Sequence, residues 1–394
     1  MIRLKDRIPL LIAAILRFTA VLSFGILLQL RLRELGVSVV VISALATVRG
    51  AFNTLGSPIW GAISDKAANR KLLLTATLLV PGVLYFLYAF MQLSYQFIIL
   101  GAVTAFFSSA FQPITMSLST EFAEDESVSS TSKEISLLNA ANSFGMFLGR
   151  VLLSVLLLWL SVRSVIFFFS IIALSVAIPI FLMKGINRKA AAKKAEKRNI
   201  IAAFFPLVSD PSPMLKNGVW AIYIGSFMRQ FGITGSTSLI AVYLTEEMGL
   251  SKSLAVILTA INPLIQIFSH IYFGRLIGKI KAKSSTVFGM LLTSLTTLLF
   301  AIGNSWITVA IAYFSLGIAF GAFINGASTF VVTHSPRERT AELLGVLRSS
   351  RSLGQMFGPL VAGIIASYSY VQMFSVMGIA IMFSGFLVMV FCKE

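Results

Sequence analysis

The chain has 394 residues, 57% of them hydrophobic and 12% charged, with a formal net charge of +17 and a mean hydropathy of +0.89. Soluble domains carry about 25% charged residues, so a water-soluble fold is excluded and the surface is expected to face a lipid bilayer. The single cysteine, Cys392, excludes a disulfide framework and a multi-cysteine metal site within the chain. No metal, cofactor or nucleic-acid partner is expected.

Twelve apolar stretches follow one another along the chain, near 8–30, 39–60, 72–92, 97–118, 137–159, 164–184, 218–243, 252–274, 285–303, 306–333, 342–366 and 371–391. Each matches the roughly 20 apolar residues that a membrane-crossing helix needs. The first lacks a cleavage pattern and is long enough to span, so it is expected to be span 1 and not a removed signal peptide. Between spans 6 and 7 lies the basic, alanine-rich segment 184–198, followed by the turn-rich Ser209-Asp-Pro-Ser-Pro213. These breaks predict a first six-helix bundle over 1–184, a cytoplasmic linker over 185–217 and a second six-helix bundle over 218–394. The linker reads as a solvated basic segment, with an amphipathic helix on the inner leaflet as the alternative. Of the 32 Lys and Arg residues, 22 fall in the two tails and the even-numbered loops, and 4 in the odd-numbered loops. This bias predicts a multi-pass protein of the cell (plasma or inner) membrane with both termini cytoplasmic. A monomer is expected.

The second half repeats the first. Leu35-Gly36 corresponds to Met248-Gly249, Arg17-Phe18 to Gln230-Phe231, and Gly61 and Lys66 to Gly274 and Lys279, all 213 positions apart. Gly145-x-x-x-Gly149 corresponds to Gly354-x-x-x-Gly358 at a shift of 209. Parallel repeats of this kind are expected to hold a solute at the interface of the halves, near mid-membrane.

Between spans 2 and 3 stands Gly61-Ala-Ile-Ser-Asp65-Lys66-Ala-Ala-Asn-Arg70-Lys71. This loop resembles the signature of the major facilitator superfamily, Gly-x-x-x-Asp-Arg/Lys-x-Gly-x-Arg/Lys-Arg/Lys, with Ala68 at the second glycine. The second copy, Gly274-Arg-Leu-Ile-Gly278-Lys279-Ile-Lys281-Ala-Lys283, keeps the spacing but has Gly278 at the aspartate. The resemblance implies an all-α membrane protein, with twelve transmembrane helices in two pseudo-symmetric six-helix bundles. It also implies that Gly61, Asp65, Lys66, Arg70 and Lys71 form a cytoplasmic gate. Gly61 would let span 2 approach a neighbour closely. Asp65 would face the positive end of span 11, held by Arg70 and Lys71. A second, weaker likeness is Gly354-Gln-Met-Phe-Gly358-Pro359 in span 11, which resembles an element that drug–proton antiporters carry in span 5. Span 5 here has Gly145-Met-Phe-Leu-Gly149-Arg150 instead.

Arginines also lie inside the spans: Arg17, Arg49, Arg150 and Arg229 deep within them, Arg348 and Arg351 near the start of span 11. None of the fifteen acidic residues falls mid-span. A buried arginine costs roughly 2.5–3.5 kcal/mol even on the lenient insertion scale, so each needs water, backbone carbonyls, polar side chains or an anion. Arg17 and Arg229 sit on equivalent spans of the two halves, and superfamily members that carry organic phosphates use such a pair across the central cavity. The resemblance makes spans 1, 4, 7 and 10 cavity-lining. The candidate substrate-binding set is therefore Arg17, Arg229, Gln230, Gln112, Tyr313, Asn325, Arg49 and Arg150. The expected function is secondary transport of a small solute by alternating access, leaning toward an organic or inorganic anion. Efflux of hydrophobic or multidrug compounds is the alternative. A receptor or membrane enzyme is the reading of another class, and no nucleophile, nucleotide loop or metal cluster supports the enzyme.

Overall fold

The computed structural model describes residues 2–67, 69–120, 128–183, 216–277, 280–334 and 340–393. Among them all regular structure is helical. Spans 1 to 3 are α1 (Ile2–Glu34), α2 (Val39–Lys66) and α3 (Arg70–Leu87). Span 4 is broken into α4 (Ser94–Ser108) and α5 (Phe111–Thr120), span 5 is α6 (Val128–Leu156), and span 6 is α7 (Val162–Ser175) with α8 (Ala177–Leu182). Span 7 comprises α9 (Val219–Thr237), the short α10 (Ile240–Val242) and a π-helical turn, Tyr243–Glu247. Spans 8 to 12 are α11 (Lys252–Leu276), α12 (Ala282–Ile302), α13 (Trp306–Thr333), α14 (Thr340–Ala366) and α15 (Tyr370–Phe391).

All twelve expected spans are therefore helical. Eight are long and apolar enough to cross a membrane, and α3 is an apolar helix of shorter length. The other three, α6, α9 and α14, are the ones that carry Arg150, Arg229, and Arg348 with Arg351. Spans 6, 8, 10 and 12 each begin at a serine: Ser161, Ser251, Ser305 and Ser369 accept the amide three residues on. This is the usual satisfaction of an orphan N–H at a helix start. Nearly all of the 185–217 segment lies outside the described residues.

The chain forms two compact units. Met1–Arg31 with Phe52–Phe204 makes the first, and Leu32–Ala51 with Phe205–Glu394 makes the second. The turn between α1 and α2 thus packs with the second unit. The core of the first unit joins Leu10, Ala13 and Ala14 of α1 to Leu74 and Leu78 of α3, Phe111 and Ile114 of α5, and Ile180 of α8. That of the second joins Val219 and Ile222 of α9 to Met290 of α12, Phe323 and Phe330 of α13, and Val388 of α15.

Each unit contains the same close helix pair. In the first, α6 lies on α1: a Cβ at Gly145 or Gly149 would come within 2.3 and 2.4 Å of the Ile15 and Thr19 carbonyls. In the second, α14 lies on α9: a Cβ at Gly354 or Gly358 would come within 2.5 and 2.2 Å of the Phe227 and Phe231 carbonyls. Backbone approach this near is possible only where the side chain is a hydrogen. Ile15 and Thr19 lie 212 residues before Phe227 and Phe231, so the mid-helix register of the repeat is 212, not 213.

The extra residue has a location. After α1, the Val37 amide donates to the Leu32 carbonyl at 3.0 Å, and Gly36 takes the left-handed conformation with φ 74°. After span 7, the Leu250 amide donates to the Leu244 carbonyl at 3.0 Å, and Gly249 has φ 64°. Leu244 is 212 beyond Leu32, but Leu250 is 213 beyond Val37. The ring closed in the second half holds one more residue, and the π turn Tyr243–Glu247 accommodates it, as wider helical turns do.

Candidate functional site

Arg17 projects from α1 into the first unit and is 8% exposed. Its Nη2 donates to the Ser108 carbonyl at 2.5 Å. That carbonyl is accessible because α4 ends there. Span 4 is interrupted there, and its second part starts at Phe111, with Pro113 in the first turn, where a missing amide proton costs nothing. The guanidinium carbon lies 4.3 Å from the centre of the Phe111 ring, a cation–π contact that desolvation strengthens. A narrow cavity lined by Arg17, Leu78, Pro81, Tyr85, Ser108 and Val176 adjoins it.

Arg229 projects from α9 into the second unit and is wholly buried, at 0% exposure. Its Nε donates to Thr293 Oγ1 of α12 at 3.1 Å, and its guanidinium carbon lies 4.2 Å from the centre of the Phe323 ring. Phe320 stands 5.7 Å away. Nη1 and Nη2 are buried without a hydrogen-bond partner. The two arginine–phenylalanine pairs are one arrangement used twice, because Arg229 and Phe323 both lie 212 beyond Arg17 and Phe111. The sequence reading paired the arginines but missed the phenylalanines; the same 212 shift, searched among the aromatic residues of spans 4 and 10, was the signal that could have found them.

The remaining candidates divide between the units. Gln112 of α5 and Arg150 of α6 are half-buried in the first. In the second, Gln230 is 5% exposed, directly after Arg229 on α9. Tyr313 is buried, with its ring edge-on to Phe300 at 5.2 Å. Asn325 donates Nδ2 to the Gly321 carbonyl at 2.8 Å within α13. Arg49 of α2 is half-buried in the stretch that belongs to the second unit. Arg351 of α14, which the sequence left out of the site, lies with its guanidinium carbon 5.9 Å from the Phe323 ring centre.

Of the gate motif, α2 carries Gly61, Asp65 and Lys66, and α3 carries Arg70 and Lys71. The side chains of Asp65, Lys66 and Arg70 lie outside the described residues, as do Gly278 and Lys279 of the second copy. The close approach expected at Gly61 is not there: a methyl group would meet Pro113 Cβ at 3.8 Å, an ordinary contact. The tight approaches of α2 occur earlier, at Gly50 against the Gln355 carbonyl and at Gly56 against the Phe106 carbonyl, each at 2.9 Å. Lys71 donates to the Met183 carbonyl at the end of α8 and lies 5.3 Å from the Phe181 ring centre. It therefore caps the last turn of span 6, where carbonyls lack helical partners.

Helices for all twelve spans among the described residues, in two compact units that repeat one close helix pair and one arginine–phenylalanine contact, define a polytopic membrane protein. The description Major Facilitator Superfamily matches residues 10–283 and 222–394, and the chain belongs to that family. Relatives include the multidrug resistance protein MdtG of Dickeya zeae (strain Ech586), 23% identical over 85% of this chain and 80% of its own length. MdtG of Escherichia coli (strain 55989 / EAEC) is 22% identical over 85% of this chain and 80% of its own. Among solved structures, the nucleoside transporter NupG superposes with a TM-score of 0.79 at 14% identity, covering 100% of this chain and 99% of its own. The human organic anion transporter MFSD10 (TETRAN) superposes with 0.66 at 16%, covering 98% and 99%. At these identities the structural likeness speaks for the fold alone.

Proposed function

We propose that this secondary transporter exports hydrophobic small molecules from the cell, across a cell membrane on whose cytoplasmic side both termini lie. The observation that carries this reading is the match to multidrug resistance proteins along 85% of the chain. The site is consistent with it. The guanidinium of Arg17 is engaged within its own unit, by a backbone carbonyl and a phenylalanine ring. Around both arginines the contacts are dominated by aromatic faces, which suit apolar ligands. The test is efflux of a fluorescent hydrophobic dye from cells expressing the chain, against the Asp65→Asn variant. Faster, energy-dependent dye loss with the wild type supports the reading; equal loss across a panel of such dyes overturns it.

A second reading, transport of an organic or inorganic anion, keeps Arg17, Arg49, Gln112, Arg150, Arg229, Gln230, Tyr313 and Asn325 as the substrate-binding set. It is favoured by one observation: two terminal nitrogens of the buried Arg229 lack partners. Counterflow of a labelled anion in proteoliposomes separates it from the first.

A further inference from the structure

Arg17 and Arg229 are equivalent in position but differ in what satisfies them. Ser108, whose carbonyl accepts from Arg17, corresponds at the 212 shift to Phe320. Pro113, in the first turn of α5, corresponds to Asn325. α13 runs unbroken over Trp306–Thr333, and a carbonyl inside a continuous helix is already taken by the amide four residues on. Arg229 thus has no counterpart of the Ser108 carbonyl. Only Nε is matched, by Thr293.

The second half also places a further arginine near Arg229. At the 209 shift that relates Gly145 to Gly354, Arg351 stands where the first half has Asn142. The Arg229 and Arg351 guanidinium carbons both lie within 6 Å of the centre of one ring, Phe323. Arg351 Nε is also buried without a partner. Arg348, one turn earlier on α14, is exposed, and His270 of α11 sits edge-on to Phe320 at 5.8 Å. No carboxylate lies in the middle of any described helix. Two like charges around one ring in a low-dielectric interior repel each other, and an isolated buried cation is costly. A guanidinium fork presents two parallel donors that fit the oxygens of a carboxylate, phosphate or sulfonate. The rings of Phe320 and Phe323 beside it offer an apolar face.

We propose that Arg229 and Arg351, over the Phe323 ring, form a binding site within the second half for the anionic head of an amphiphilic small molecule. If the site serves transport, this rests on the exporter reading and narrows its substrates to molecules carrying a negative group. The same chemistry occurs on an anionic lipid, and the experiment separates the two.

The protein purified in neutral maltoside detergent is titrated with octyl phosphate, with octyltrimethylammonium and with inorganic phosphate, following thermal stability and heat of binding. Octyl phosphate is expected to stabilise saturably, inorganic phosphate to bind more weakly at the same place, and octyltrimethylammonium to do neither. Arg229→Gln should weaken octyl phosphate about tenfold to a hundredfold, the loss of one charged hydrogen-bonding partner. Arg229→Lys and Thr293→Val, which keep the charge, should weaken it less, and they carry the test if Arg229→Gln does not yield folded protein. Arg163→Gln, at the start of α7, should change nothing. Equal stabilisation by octyltrimethylammonium, or wild-type affinity in a folded Arg229→Gln protein, overturns the site. Displacement of octyl phosphate by phosphatidylglycerol but not phosphatidylcholine in nanodiscs upholds the anion site and assigns it to lipid. Dye efflux measured in parallel keeps the two proposals apart: lost efflux with intact phosphate binding sinks the exporter reading alone, and the converse sinks the site alone.

Discussion

Arg17 and Arg229 hold equivalent positions in the two halves and stand in different chemical situations. Each stacks on a phenylalanine, Phe111 or Phe323, at 4.3 and 4.2 Å. In the first half span 4 is broken after Ser108, whose carbonyl accepts from Arg17. In the second half Asn325 occupies the equivalent place, its amide folds back on Gly321, and α13 continues. A break in span 4 that α13 lacks therefore separates an arginine with a backbone acceptor from one with unused donors. Duplicated halves can keep their packing and still diverge in ligand chemistry, through a change that removes a carbonyl and not through a change of the arginine itself.

The strongest test of the shared packing is to destroy it in either half. Gly149→Leu and Gly358→Leu each force a side chain into a carbonyl that already stands 2.4 or 2.2 Å from the Cβ position. Overpacking costs about 1–3 kcal/mol, occasionally more, and rigid backbone cannot yield as a side chain does, so both variants should lose monodisperse protein in fluorescence-detected size exclusion. Gly61→Ala should retain it, because its nearest neighbour is at 3.8 Å. Equal tolerance at Gly358 and Gly61 would refute the packing comparison.

The next test exchanges the feature that separates the halves. Asn325→Pro places a proline inside α13, at a cost of about 3 kcal/mol, and frees a carbonyl near Arg229. Thermal stability should fall. In the protein that remains folded, octyl phosphate should bind more weakly, since the carbonyl competes for the fork. Pro113→Ala is the reverse change: span 4 can close its helix over Ser108, and Arg17 loses its acceptor. Unchanged octyl phosphate affinity in Asn325→Pro would show that the proline does not set the difference.

Most of the fold was legible in the sequence, because hydropathy over about 20 residues reports directly on the bilayer. The repeat was legible through its glycines, which must be glycine wherever helices touch through backbone. What was obscured was register. The shift of 213 read from Gly36 and Gly249 holds from the π turn to Gly61 and Gly274, while span 1 against span 7 and span 4 against span 10 keep 212, so Arg17 aligns with Gln230 at one shift and with Arg229 at the other. An insertion absorbed by a π turn leaves no mark on composition. The spacing at Gly61 is clear in the sequence, but its ordinary 3.8 Å contact is not, because a motif gives spacing and not distance. Arg351 was left out of the site because its depth depends on where α14 begins, and a helix start is the least legible feature of an apolar run.

The gate motif offers a smaller effect. Its first copy has Asp65 and its second has Gly278, so only the first half can present a carboxylate to a helix end, an interaction of about 0.3–1 kcal/mol at an exposed site and up to ~2 when partly buried. Asp65→Asn should leave the protein inserted and ligand affinity near wild type, while lowering the transport rate several-fold in proteoliposomes. Wild-type rates would remove the carboxylate from the gate.

The smallest expected effect concerns charges that the repeat places at matching ends. Arg33, at the end of α1, makes a bidentate pair with Glu246 in the π turn, with Nε and Nη2 each 2.6 Å from a carboxylate oxygen. Lys252 and Glu34 form a second pair at 2.6 Å. Arg33 and Glu246 are 213 residues apart, so equivalent ends of the two halves carry opposite charge and join the turn after α1 to the second unit. Their side chains are 33% and 38% exposed, so solvent screens the attraction and the pair contributes about 0.2–1 kcal/mol. Arg33→Glu sets two carboxylates against each other and should lower the thermal midpoint slightly, with the loss shrinking as salt is raised. Glu246→Arg alone should do the same. The double exchange, Arg33→Glu with Glu246→Arg, should recover most of the loss, because the fork and the carboxylate only trade places. A double variant no better than the sum of the singles would mean that the pair adds nothing, and that packing through Gly50 and Gly363 alone holds this stretch to the second unit.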